Sequence, residues 1–244
     1  MSTQLTLPAE PLAAEAAREP ASSVRMRWFE LALLLAIAFG GFLFSSLHIL
    51  ITGHVSSPYS SDLRWIGSLF HEGTALLLLA YILRRRRMRL ADLGLRWSFR
   101  DLLRGAGLIL GSYCAYFVGY ILVNSIHHAI FGAVHSGITE KAIFGHTGAY
   151  AVPFILLNPI FEEMIVRAYL MTEVMELTGS KTLAVALSVA IQTTYHLYYG
   201  WVGALSLGFQ FLVFSLYYAR TRRATPIILA HGFFDLLGMV RLWY

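Results

Sequence analysis

The sequence predicts an all-α polytopic membrane protein, a bundle of about seven transmembrane helices around an intramembrane polar cavity. Three observations predict it. The chain is 57% apolar and 14% charged, with a mean hydropathy of +0.61, far from the soluble norm. Apolar runs of spanning length recur along it, separated by short polar or arginine-rich connections. One of those runs carries Asn158, Glu162, Glu163 and Arg167 near its centre. An ionised carboxylate at that depth costs on the order of 3 kcal/mol, so such groups face a wet interior and carry function.

Taken in order, residues 1–24 are rich in Ala, Pro, Glu and Ser without an apolar core, and predict a disordered tail. Residues 25–244 form the helical domain. Its spans are expected at 28–51, 65–83, 106–124, 148–172, 182–199, 201–219 and 226–240, with 173–181 a connection. Arginines cluster at 84–87 with Arg89, Arg96, Arg100 and Arg104, and again at Arg220, Arg222 and Arg223. The positive-inside bias puts both clusters in the cytoplasm, which sets the amino terminus inside and the carboxyl terminus outside. The formal charge of +5 and pI near 9.4 therefore report topology, and a nucleic-acid partner is not expected.

Metal chemistry finds little support in the spacing. Cys114 is the single cysteine, so there is neither a disulfide framework nor a zinc-type cysteine cluster. His71-Glu72 begins like a zincin motif, but Ala75 stands where the second histidine belongs. His71 and Glu72 can still line a polar interior, with Glu72 a packing residue, a supporting contact or a catalytic group. A loop following residue 124 is expected to hold His127, His128, His135 and His146, at intervals that match no ligand template.

Within the fourth span Glu163 and Arg167 are i,i+4 and can neutralise each other on one face. Glu162 lies about 100° round the helix, on the face of Asn158, and must find its partner on another segment. Pro153 and Pro159 can free carbonyls and kink this span just before the pair. Gln192 and His196 share a face of the fifth span, as His231 and Asp235 do in the seventh. A lone carboxylate with two histidines supplies a base for water, an imidazole to hold that water or protonate a leaving amine, and donors for an oxyanion.

These residues resemble the CPBP intramembrane proteases, the Abi family that includes the type II CAAX prenyl endopeptidases and bacteriocin-processing and immunity proteins. The resemblance rests on Glu162-Glu163-Met-Ile-Val-Arg167, on His196, and on His231-Gly-Phe-Phe-Asp235 in that order, and spans roughly 90–240. It implies a metal-free, cofactor-free glutamic-type peptidase of the cell (inner) membrane. Glu162 with His196 would activate water, His231 and Asp235 would serve the oxyanion, and Glu163 and Arg167 would support them. The implied substrate is a membrane-associated peptide or protein, prenylated or otherwise lipidated in the CAAX-type case. Two positions depart from the family pattern. Gln192 stands where Phe is usual, and Asp235 where Asn is commonest; an ionised Asp cannot donate to an oxyanion, so it orients His231 or is itself protonated. The alternatives are a zinc-dependent intramembrane metalloprotease built on the same residues, and a non-catalytic immunity or peptide-docking protein.

Overall fold

The computed structural model describes residues 23–55, 61–132 and 148–243. The predicted tail through residue 22, and His135 and His146, lie outside the described residues. Helix α1 (Val24–Thr52) is followed by α2 (Ser61–Arg85), a 3-10 turn (Leu90–Leu93) and α3 (Arg100–Phe131). Then come α4 (Ala151–Glu162), a π-helical segment (Glu163–Tyr169) and α5 (Leu170–Thr178), continuous as one interrupted rod. The chain finishes with α6 (Lys181–Tyr195), a 3-10 turn (Leu197–Tyr199), α7 (Gly200–Thr221) and α8 (Thr225–Trp243). Among the described residues there is no strand. Counting the rod once gives seven helical units among the described residues, as the hydropathy predicts.

Helices α1, α2, α3 and α7 are each long and apolar enough to cross a membrane. The units that fall short of that measure supply most of the polar interior, joined by Glu72 of α2. The outward faces of the long helices carry exposed Phe44, Phe70, Leu77, Leu103, Leu110 and Phe117. In water such a surface would be unstable; in lipid it costs nothing, and the protein is an integral membrane bundle.

Two predicted boundaries move. Residues 173–181 were expected to connect, yet α5 continues to Thr178, stops at Gly179 with φ 71°, and hands over to Ser180, whose hydroxyl caps Leu183 N–H at 3.1 Å. Only glycine adopts that left-handed stop freely. The helix persists because Glu173 is fully buried in an ion-pair network. It takes Arg27 Nε at 2.9 Å and Arg86 Nη1 at 2.6 Å, and Arg86 Nε reaches Glu30 at 2.8 Å. Burial is the largest single influence and works against the Arg86 charge, but the Glu173 hydrogen bond together with the nearby Tyr169, Glu173 and Glu30 groups outweighs it and holds the guanidinium above its ordinary value. The second correction concerns α3, which runs to Phe131, so His127 and His128 are helical and not in a loop.

These contacts gather the arginine clusters at one end of the bundle. There Arg223 grips Asp101 with both a 3.0 Å and a 2.5 Å bond, and Asp101 raises the Arg223 pKa. Thr225 Oγ1 donates to the Arg96 carbonyl at 2.9 Å. Gly94, at φ 84°, lies so close to the α7–α8 turn that a Cβ there would stand 2.1 Å from the Arg222 carbonyl oxygen, so the approach requires glycine. The 3-10 turn thereby clamps the start of α8, and with it the register of His231.

Candidate active site

The site grows from a fault in the helix ladder. Pro159 has no N–H, which leaves the preceding turn without one bond, and the chain then widens into the π segment from Glu163. Glu163 N–H still reaches the carbonyls of Ile160 and Pro159, and Leu170 N–H closes the widened turn on Ile165 O. All seven residues of the segment are buried. The irregular backbone sits where surrounding helices can satisfy it, as the Tyr218 hydroxyl does by donating to Ala168 O at 3.1 Å.

Glu162 finds the external partners it needs. Its Oε2 accepts from Gln192 Nε2 at 2.8 Å and from the Tyr195 hydroxyl at 2.5 Å, both on α6. Its Oε1 faces Asn158 Nδ2 at 3.3 Å. The Tyr195 ring is held in turn by stacking on Phe39 of α1, centroid to centroid 5.0 Å. Gln192, at a position where the resemblance would place Phe, is a direct donor to the carboxylate.

His231 enters from α8 and lies between carboxylates. Nδ1 is 2.7 Å from Glu163 Oε1, while Nε2 is 3.5 Å from Asp235 Oδ1 and 3.9 Å from Glu162 Oε2. Glu163 is thus shared, since its Oε2 stands 3.4 Å from Arg167 Nε in the i,i+4 pair the sequence predicts. Arg167 is fully buried, and the faces of Phe211 and Phe214 lie 5.4 and 6.0 Å from its Cζ.

His196 caps the end of α6. Its Nδ1 is 2.8 Å from the Gln192 carbonyl, and its ring lies among Tyr195, Tyr199 and Phe211. Among the described contacts no hydrogen bond or ion pair joins it to Glu162, Glu163, His231 or Asp235. It is a neighbour of the carboxylate through Gln192 and Tyr195, with Nε2 uncommitted. His71 serves elsewhere, bonding the Ala38 carbonyl at 2.9 Å.

The structure therefore brings together Asn158, Glu162, Glu163, Arg167, His231 and Asp235, with His196 at the edge. Sequence reasoning missed Tyr195, although its i,i+3 spacing from Gln192 on an apolar helix was a usable signal. Among the described residues no group of three or more His, Cys, Asp or Glu side chains is arranged to hold a metal ion.

The membrane helix bundle thus buries Glu162, Glu163, Arg167 and His231 together in its interior. Residues 144–237 match the family model of the type II CAAX prenyl endopeptidase Rce1-like proteins, and every motif residue named above falls inside that segment. The match supports the CAAX protease resemblance that the order of the motifs predicts. No curated protein and no solved structure matches it.

Proposed function

We propose that the chain is an intramembrane endopeptidase that cleaves a membrane-associated peptide or protein with a water activated by Glu162, in CAAX-type or peptide-maturation processing. The observation that supports this most directly is the facing of Glu162 Oε2 and His231 Nε2 across 3.9 Å. That gap is too long for a direct bond and suits a shared water. Glu162 takes one proton from the water, and the hydroxide adds to the scissile carbonyl carbon. The C–N bond then breaks and the proton passes from Glu162 to the leaving amine, which restores the carboxylate.

Glu163 fixes the orientation of His231 by accepting from Nδ1, so only the doubly protonated ring has an Nε2–H to offer the oxyanion. Asp235 faces that same nitrogen and orients it. His196, with Nδ1 committed to backbone, presents Nε2 to hold water or to carry the proton. No metal is needed for these steps. The arginine-rich end is assigned to the cytoplasm of the cell membrane by the positive-inside bias.

The test is Glu162→Gln, assayed on a farnesylated CAAX-type peptide with protein reconstituted in lipid. Loss of turnover by about 10² or more is expected for removal of a general base. Undiminished cleavage by this variant at matched folded protein would remove the reading.

A further inference from the structure

Glu72 lies on α2, outside the segment that matches the family, and is fully buried. Its Oε1 accepts from Asn158 Nδ2 at 3.0 Å, and the same nitrogen stands 3.3 Å from Glu162 Oε1. One amide group therefore bridges two carboxylates on different helices. The other oxygen of Glu72 is buried without a hydrogen-bond partner. Glu162, Asp235 and His231 are among the charged groups that act on it.

A tie between α2 and α4 does not require a carboxylate, and burying one in a membrane costs several kcal/mol. The orientation of Asn158 supplies a reason. An amide has an acceptor oxygen and a donor nitrogen on opposite sides, and a half-turn about its last bond exchanges them. If the oxygen faced Glu162, acceptor would meet acceptor. An ionised Glu72 carboxylate receives only donors, so it holds the nitrogen inward, and the second N–H of that nitrogen falls to Glu162. Gln192 and Tyr195 hold only Oε2 of Glu162, which leaves Asn158 to hold Oε1.

We propose that Glu72 is a positioning residue for Glu162, acting through Asn158 to fix the plane of its carboxylate; this rests on Glu162 being the base. The carboxylate is then set from α2, α4 and α6 together, and a base displaced by as little as about 1 Å can lose on the order of 10² in rate.

The full chain in lipid nanodiscs, with the farnesylated peptide as probe, tests this through kcat, KM and thermal unfolding of five variants: Glu72→Leu, Glu72→Gln, Asn158→Leu, the Glu72→Leu/Asn158→Leu double variant, and Glu162→Gln. Glu72→Leu should lower kcat about tenfold to a hundredfold, the range for losing a group that orients a reactive one, with KM within about twofold. Glu72→Gln keeps an acceptor for Asn158 but adds a donor that admits the flipped amide, so it should lose less kcat than Glu72→Leu without returning to the wild-type value. The double variant should be no slower than Asn158→Leu alone, because both changes cut one chain of contacts. Should Glu72→Leu not fold, Glu72→Asp, which keeps the charge but shortens the reach, carries the same expected loss. Unchanged kcat in Glu72→Leu or Glu72→Asp, or independent losses that multiply in the double variant, would overturn the inference while an inactive Glu162→Gln leaves the peptidase reading standing. An active Glu162→Gln would overturn both.

Discussion

Glu163 and His231 are joined by a 2.7 Å contact that ties the π segment to α8. Its consequence is that neighbouring glutamates address opposite nitrogens of one imidazole, Glu163 at Nδ1 and Glu162 at Nε2. In the same step Glu163 compensates Arg167, so a single carboxylate serves the orientation of a ring and the neutralisation of a buried cation. The two duties can be separated by substitution.

Glu163→Gln keeps an oxygen for His231 but strands Arg167, which is 0% exposed. Breaking a buried pair from one side costs about 3 to 5 kcal/mol, and a loss of that size should appear in thermal unfolding in detergent. Adding Arg167→Met removes the stranded cation and should recover most of the stability. A Glu163→Gln protein as stable as wild type would mean that the pair does not compensate charge.

Gln192 stands where the family more often has Phe, and its amide donates to Glu162 at 2.8 Å. Gln192→Phe should lower kcat about tenfold or more, the effect expected when a hydrogen bond to a charged group, about 1.5 to 3 kcal/mol, is removed. Tyr195→Phe, which keeps the stacking on Phe39, should do the same. Wild-type kinetics in both would show that these donors do not set the geometry of the carboxylate.

The bundle was legible because lipid imposes a length and composition on every crossing, which a single sequence displays without alignment. The Glu163–Arg167 and His231–Asp235 pairs were legible for a similar reason, since i,i+4 neighbours share a face whatever surrounds them. What stayed hidden needed geometry between helices. Tyr195 reads as an ordinary apolar-run aromatic until α6 is laid beside α4. The π segment follows from Pro159 only once neighbouring helices are present to satisfy the freed backbone. Glu173 looks like the start of a polar connection because its partner Arg27 lies 146 residues away. His127 and His128 suggested a loop by polarity, but α3 carries them to Gly132, whose φ of 82° ends it.

Glu173 offers a contrast to the site residues. It is fully buried beneath Arg27 and Arg86 at the basic end, so Glu173→Gln leaves two guanidinium groups short of one counter-charge. A stability loss of about 3 kcal/mol or more is expected, with kcat of the folded fraction unchanged. Unfolding in detergent gives the first quantity and active-site titration the second. A selective fall in kcat would place this network in communication with the site.

Asp235 separates the oxyanion role from a metal role. Its Oδ1 stands 3.5 Å from His231 Nε2, and its Oδ2 is buried without a partner. Asp235→Asn keeps an oxygen near the imidazole and replaces the unpartnered acceptor with an N–H that an oxyanion can use. The variant should therefore cleave within about tenfold of wild type, whereas Asp235→Leu, which offers neither group and leaves His231 Nε2 unoriented, should lose about 10². In a zinc site the carboxylate would be a ligand, and exchanging it for an amide would weaken the metal and make turnover depend on added zinc. The expected result is turnover by wild type and Asp235→Asn that withstands chelator equally. Stoichiometric zinc in the purified protein, lost with activity in His196→Ala and His231→Ala, would instead support the metalloprotease alternative.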